Sequence, residues 1–392
     1  MKLIRQFILV GFLMCIGLPA NSQGFIVGGG VGVAAYYDDQ FEVGVSDSDV
    51  AAIRFRPSGF VRYPGRLLRS RLDVSAAFNQ FLDSDFEDTD NLSINWETNR
   101  DFQYTTLQLN VSYVERLVDD YVELDDVIAL TRSEEVEDLT ISPVFFWQLS
   151  DRTRVSALYE FGQTSLDSTG AGFFDFGGEE FDEQLITLGW YRTLSERSEL
   201  AVFGRYITFE PGEDQNDAGT ETFNLSVGGT YQLFNNWSLT GSLGATRVTF
   251  DEDSLGAGLQ NVVDDGQTVV FTDLQATYTG FKDFITVSAD AGTTQQIDGT
   301  LDNQQGITFS WVRRYSEGLS SNLSGRYFQA DRSDRQDYTI SASVNWRSAS
   351  PWSYSLNYRF RDQLVSSREV DAGSNRLTFE VNYSFQDLAL GN

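Results

Sequence analysis

Apolar and polar residues alternate along most of this chain. Leu377, Phe379, Val381, Tyr383 and Phe385 interleave with Arg376, Thr378, Glu380, Asn382 and Ser384. Trp352, Tyr354, Leu356, Tyr358 and Phe360 do the same with Ser353, Ser355, Asn357, Arg359 and Arg361, and the design recurs from Tyr338 to Arg347. It is seen again in Phe223, Leu225, Val227, Tyr231 and Leu233, in Leu92, Ile94 and Trp96, and in Leu68, Leu72, Val74 and Phe78. A period of two places the two sets on opposite faces of a β-strand. No segment after the first 22 residues carries a convincing 3.6-residue apolar period.

Alternation alone also fits a soluble sandwich. Segment length separates the two, because these runs last about 10–14 residues, matching a tilted membrane strand of about 9–11 residues with its rims. Soluble strands average about 5–6 residues. The polar face is Ser, Thr, Asn, Gln and Arg in strand after strand, which suits a wet lumen.

Connections alternate as well. Short ones fall near Tyr63–Arg66, Thr98–Asp101, Ser150–Arg152, Ser195–Arg197, Asn235–Asn236, Gly280–Lys282, Tyr315–Gly318 and Ser348–Pro351. Long ones fall near 38–49, 80–90, 116–137, 164–182, 210–221, 251–267, 296–304, 330–336 and 363–374. The pattern predicts an all-β fold, a transmembrane antiparallel up-and-down β-barrel of about 18 strands, even in number as such barrels require. It falls to 16 if the segments near 50–60 or 90–100 are not strands. In hydrocarbon every backbone amide needs a partner, and a sheet supplies them all only by closing on itself.

Trp96, Trp147, Trp190, Trp237, Trp311, Trp346 and Trp352 all sit within about five residues of a short turn. Indoles favour the membrane–water interface, so these seven predict one aromatic girdle at the periplasmic rim. Residues 1–22 read as a signal peptide: Lys2 and Arg5, an apolar run from Phe7 to Leu18, Pro19, then Ala20-Asn21-Ser22. Residues 23–392 form one barrel domain, and the location follows as the cell outer membrane.

Composition removes several chemistries. The chain has no histidine, and its one cysteine, Cys15, lies in the leader. Ser-His-Asp and Cys-His catalysis are therefore absent, as are the usual zinc, copper and haem ligand sets. The chain is not expected to be an enzyme or to hold a cofactor. With 57 acidic against 28 basic residues the net charge is −29, which argues against nucleic acid as a partner. Disorder, the other reading of such charge, conflicts with 30 Phe, 17 Tyr and 7 Trp.

Other motifs resolve against their simplest interpretations. Gly28-Gly29-Gly30-Val31-Gly32 has no following helix to make a phosphate loop; it reads as a glycine-bearing first strand packed closely in the wall. Asp83–Asp88 lacks the glycine and the glutamate of a calcium loop. The outer loops are acidic overall, and weak Ca²⁺ or Mg²⁺ association bridging to lipopolysaccharide is the only metal chemistry expected. Arg54, Arg56, Arg69 and Arg71 alternate with apolar residues and should point into the lumen, as should Arg326, Arg347, Arg359 and Arg361 across the closure. They read either as a structural ladder paired with Asp73 and neighbouring acids or as a positive strip guiding an anionic solute or sugar chain. The loop at 116–137 carries Asp119, Asp120, Glu123, Asp125 and Asp126 beside exposed apolar residues, marking it as a candidate constriction loop; the segment Gly170–Gly178 competes for that role.

The hairpins Leu149–Ala157, Leu194–Leu200 and Asn235–Leu239, set in this strand pattern, resemble outer-membrane β-barrel porins associated with exopolysaccharide or capsule export. The resemblance implies a conduit for polysaccharide, with polysaccharide-export components as partners. Passage of small hydrophilic solutes stays open beside it, as does a plugged barrel acting in surface structure or adhesion through cation-binding acidic loops. Val381, Tyr383 and Phe385 resemble the terminal signal read by the barrel-assembly machinery, displaced here from the end by Gln386–Asn392. Outer-membrane lipid and lipopolysaccharide complete the expected partners.

Overall fold

The structure, a computed structural model, describes residues 24–39, 49–82, 88–117, 134–168, 179–211, 219–250, 268–295, 301–330, 335–348, 351–365, 370–385 and 388–390. The described residues form strands and turns and no helix. The strands are β1 (Phe25–Asp38), β2 (Val50–Pro64), β3 (Leu68–Phe81), β4 (Thr89–Asp101), β5 (Thr105–Leu117), β6 (Glu134–Ser150), β7 (Thr153–Ser168), β8 (Glu179–Ser195), β9 (Ser198–Pro211), β10 (Thr220–Phe234), β11 (Trp237–Phe250), β12 (Thr268–Thr279), β13 (Asp283–Gln295), β14 (Leu301–Arg314), β15 (Leu319–Ala330), β16 (Arg335–Arg347), β17 (Trp352–Val365), β18 (Val370–Ser384) and the short β19 (Leu388–Leu390).

Each long strand pairs antiparallel with the next, and β1 pairs with β18, from Gly30 opposite Ser384 to Asp38 opposite Arg376. The sheet is thus a closed 18-stranded barrel, the fold the alternation predicts, and no edge is left to expose unpaired amides.

Alternation sets the two faces. Val33, Phe55, Phe78, Leu188, Leu225, Leu243, Leu274, Ile340, Leu356 and Phe379 are all exposed on the outside of the wall. This is the inverse of a soluble protein, in which such side chains would be buried. Burial runs the other way, and the buried apolar cluster is the small group Tyr36, Val50 and Ala52 with Phe81 against it.

Three of the short turns share one geometry. A register shift of one residue interrupts the ladder at Gln148/Ser150, Thr193/Ser195 and Gln232/Phe234, just before the two-residue turns at 151–152, 196–197 and 235–236. In the last, the Gln232 side chain donates to the Phe234 carbonyl at 2.9 Å. These are the hairpins that carry the resemblance. The turn expected at Thr98–Asp101 lies further on, at 102–104, because Thr98, Asn99 and Arg100 continue the ladder against Ser70, Arg69 and Leu68. The late outer connections are shorter than expected: strand pairing resumes at Leu301, opposite Gln295, and reaches Ala330 opposite Arg335 and Val365 opposite Val370.

Around the seam β1 is packed tightly. A Cβ on Gly29 would lie 2.5 Å from the Ser58 carbonyl oxygen, and one on Gly30 would lie 2.6 Å from that of Tyr383. After Ser384 the last strand shifts register by one and resumes as β19, pairing Leu388–Leu390 with Val27–Phe25. The shift changes which parity faces lipid, and so brings Leu388 onto the same face as Phe385.

Candidate functional site on the lumen wall

The inner face is defined by the cross-strand pairs whose neighbours face lipid. It is not uniformly polar. Arginines crowd one arc: Arg54, Arg56 and Arg62 on β2, Arg69 and Arg71 on β3, Arg326 on β15, Arg347 on β16, Arg359 and Arg361 on β17 and Arg376 on β18. Acids dominate the facing arc, with Glu160 on β7, Glu183 on β8, and Asp273 of β12 directly opposite Asp290 of β13. That arc also carries inward-facing rings. Phe181 and Phe209 pack at 5.3 Å between centroids, and Tyr191 meets Phe203 edge-on at 5.4 Å. The Arg154 guanidinium covers Tyr191 at 4.4 Å and pairs with Glu199 at 3.3 Å. Gly189 leaves room for the Tyr191 ring, since a Cβ there would sit 2.9 Å from it.

Burial changes along the bore. At the long-connection end the inward side chains of Asp38, Val50, Asn79, Thr89, Val136, Thr220, Val248 and Ala330 are all buried. At the short-turn end Arg69 and Arg71 are exposed. Charges in the outer half therefore act through less water, and with greater strength, than those at the periplasmic mouth.

A dense polar cluster lies at the seam in that outer half. Arg376 donates from Nε to Asp38 at 2.7 Å, the two side chains being 10% and 2% exposed. Ser374 Oγ donates to the other Asp38 oxygen at 2.8 Å. Arg54 Nε donates to Asn79 Oδ1, and Asn79 passes a hydrogen bond to Thr89 Oγ1 at 2.9 Å. Between the two arginines stands Tyr36, with each guanidinium 5.3 Å from its ring centroid. Next to this cluster Arg359 is directly opposite Arg376 in the ladder.

A search of family models and of curated proteins finds no match to this chain. Solved structures do match. OccAB4 of Acinetobacter baumannii superposes with a TM-score of 0.50 at 14% identity, over 94% of this chain and 100% of that one. OpdQ and OpdK of Pseudomonas aeruginosa align at TM-scores of 0.49 and 0.48, with 12% and 11% identity, each over 92% of this chain and 98% and 99% of theirs. These identities speak to fold alone. The chain is a multi-pass outer-membrane β-barrel. Its fold is that of the porins.

Within this porin-fold barrel the candidate arginines do not form two continuous strips. Arg54 and Arg56 lie in the outer and middle bore, whereas Arg69 and Arg71 lie at the periplasmic mouth beside Arg62. At about 3.3 Å per residue that separates the two pairs by about 20 Å. Arg71 forms a two-pronged pair with Asp73 at 2.7 Å, Arg69 meets Asp101 at 2.8 Å, and Arg56 meets Glu380 at 3.3 Å. Arg326 and Arg361 flank Thr339 at one height, and Arg347 lies at the short-turn end of β16.

All seven tryptophans stand on the lipid-facing parity near a short turn; Trp96 donates to Ser70 at 2.9 Å and Trp311 to Asp283 at 3.0 Å. Val381, Tyr383 and Phe385 face lipid at the same end, where Tyr383 packs against Trp352 at 4.9 Å and Phe385 at 5.4 Å. The signal peptide, the acidic residues Asp119, Asp120, Glu123, Asp125 and Asp126, and the segment Gly170–Gly178 lie outside the described residues. Sequence reasoning missed Arg376, Asp38 and Tyr36. The periodicity of β18 places Arg376 inward, but nothing local announces a partner 338 positions away.

Proposed function

We propose that the barrel is a channel for small, hydrophilic, anionic solutes. The observation that carries this is the arginine arc on the lumen wall in a chain whose net charge is −29. Basic groups are scarce in this protein, and they are concentrated where a solute would pass. A barrel of 16–18 strands leaves an aqueous bore, and inward guanidinium groups favour anions in it. The solved structures of like fold are outer-membrane porins, and nothing in the fold or in those comparisons links the chain to polysaccharide export.

The test is conductance in planar lipid bilayers under a salt gradient. Steady open steps with a reversal potential favouring anions are expected, and Arg54→Glu together with Arg359→Glu should move that potential toward cations. Silence would favour a plugged barrel of structural or adhesive role; unchanged selectivity in the charge-reversed protein would remove the arginines from the mechanism. Passage of a sugar strand is distinguished by liposome swelling, in which exclusion of oligosaccharides beyond a few units supports the small-solute reading.

A further inference from the structure

The periplasmic rim carries a basic patch on its lipid side, away from the bore. The turn between β2 and β3 ends in Arg66 and Leu67, and the Leu67 carbonyl accepts the Asp101 amide at 2.9 Å, which sets this turn against the end of β4. Arg100 stands there on the lipid-facing parity, in register with Leu68 of β3 and Leu107 of β5. Its guanidinium lies 5.0 Å from the centroid of the Phe102 ring. The turn residues Leu67, Phe102 and Tyr104 are 65%, 52% and 60% exposed. Trp96 of the aromatic girdle is four residues back on the same face of β4, about 13 Å along the strand.

Neither Arg66 nor Arg100 has a carboxylate partner among the described residues. The adjacent acid, Asp101, belongs to the lumen face, where Arg69 donates to it at 2.8 Å and Thr106 at 3.1 Å. Asp151, in the turn between β6 and β7, has Arg152 beside it. On β14 a like arrangement is closed internally. Arg313 shares the lipid-facing parity and has a ring two residues on, Tyr315 at 5.6 Å, yet it stands opposite Asp283 and pairs with it at 3.4 Å. Arg100 has a leucine in each cross-strand position instead.

We propose that Arg66 and Arg100, with the exposed rings and leucines around them, hold the phosphodiester head of an anionic phospholipid in the periplasmic leaflet. Indoles mark the headgroup level of a bilayer, and an arginine just beyond them reaches the phosphates along its own apolar stem. Guanidinium groups bind phosphate oxygens with two-pronged, charge-assisted hydrogen bonds. A zwitterionic lipid brings its own ammonium to the patch and so competes with the arginines for its phosphate. The apolar part of the patch decides between a lipid and a soluble acidic protein: Leu107 and Phe102 run without a break into the lipid-facing wall, where acyl chains cover them.

The test is native mass spectrometry of the whole barrel in detergent with equimolar phosphatidylglycerol and phosphatidylethanolamine of identical acyl chains. Each arginine near an anionic headgroup contributes about fivefold, so the phosphatidylglycerol adduct is expected to exceed the other by about fivefold or more. Arg66→Gln combined with Arg100→Gln should bring the ratio close to unity, while Arg313→Gln leaves it unchanged. Heat-modifiable gel mobility confirms that each barrel is closed. Equal retention of the two lipids by the unaltered protein overturns the proposal without any variant. A preference that survives the double substitution, or falls equally in Arg313→Gln, overturns it too. Cardiolipin supplied at equal phosphorus distinguishes the lipid sources: stronger retention than phosphatidylglycerol means one two-phosphate head spans both guanidiniums, and equal retention means a single-phosphate head. Displacement of phosphatidylglycerol by polyglutamate would assign the surface to an acidic protein and defeat the lipid reading. A barrel that conducts nothing would bind the same lipid, so this outcome is independent of the channel.

Discussion

At the scale of single residues the seam pair is the most exposed to disruption. Asp38 is 1% accessible, and it receives Arg376 and Ser374 together. Removing one partner of a buried ion pair leaves the other charge uncompensated, at a cost of about 3–5 kcal/mol. Asp38→Ala should therefore lower unfolding free energy in lipid vesicles by about that amount, measured by urea titration of tryptophan fluorescence. A change within error would mean that water already reaches Arg376. Arg71→Ala at the periplasmic mouth should cost about 1 kcal/mol or less, because both it and Asp73 are roughly half exposed. The arginines were legible in the sequence as inward-facing, since each alternates with apolar neighbours. Their heights were not, because height depends on how far each strand runs before its turn.

At the scale of the strand, alternation carried nearly all of the architecture. Length and period named the strands, and the register then follows from keeping apolar side chains on one face, since a slip of one residue would turn them all inward. Strict alternation failed in two ways. The arc from β5 to β12 puts Phe181, Leu185, Phe203 and Phe271 inside, so the lumen is not the purely polar surface that β16 and β17 suggest. The shift between β18 and β19 exchanges parity near the end of the chain, and no turn residue marks it. Lipid exposure predicts an unequal tolerance to charge along a strand. Leu225→Arg, at mid-strand and 51% exposed, should cost about 2–4 kcal/mol, whereas Leu194→Arg, beside the turn at 196–197, should cost about 0–1 kcal/mol. Equal penalties in vesicle refolding experiments would contradict the assigned position of the membrane.

Seen whole, the molecule divides its charge: acids in abundance along the chain, arginines gathered on one side of the bore with acids across from them. A field of this kind is strongest where water is excluded and is weakened by salt elsewhere. Anion selectivity should thus increase as salt falls from 1 M to 0.1 M, over which the screening length grows from about 3 to about 10 Å. A selectivity indifferent to salt would place its origin in the dry outer half alone. None of this transverse arrangement could be read along the sequence, because it arises only when β1 pairs with β18 and so brings β2 and β17 to the same side of the bore.

The bond between Asp38 and Arg376 spans almost the full length of the polypeptide. Contacts so remote in sequence are the slowest to form, and until this one exists both flanking strands present bare amides to any passing chain. The cylinder therefore has no stable half-built form from which to grow: its first strand waits for its last, and premature termination anywhere before Val370 would yield a sticky ribbon rather than a narrower pore.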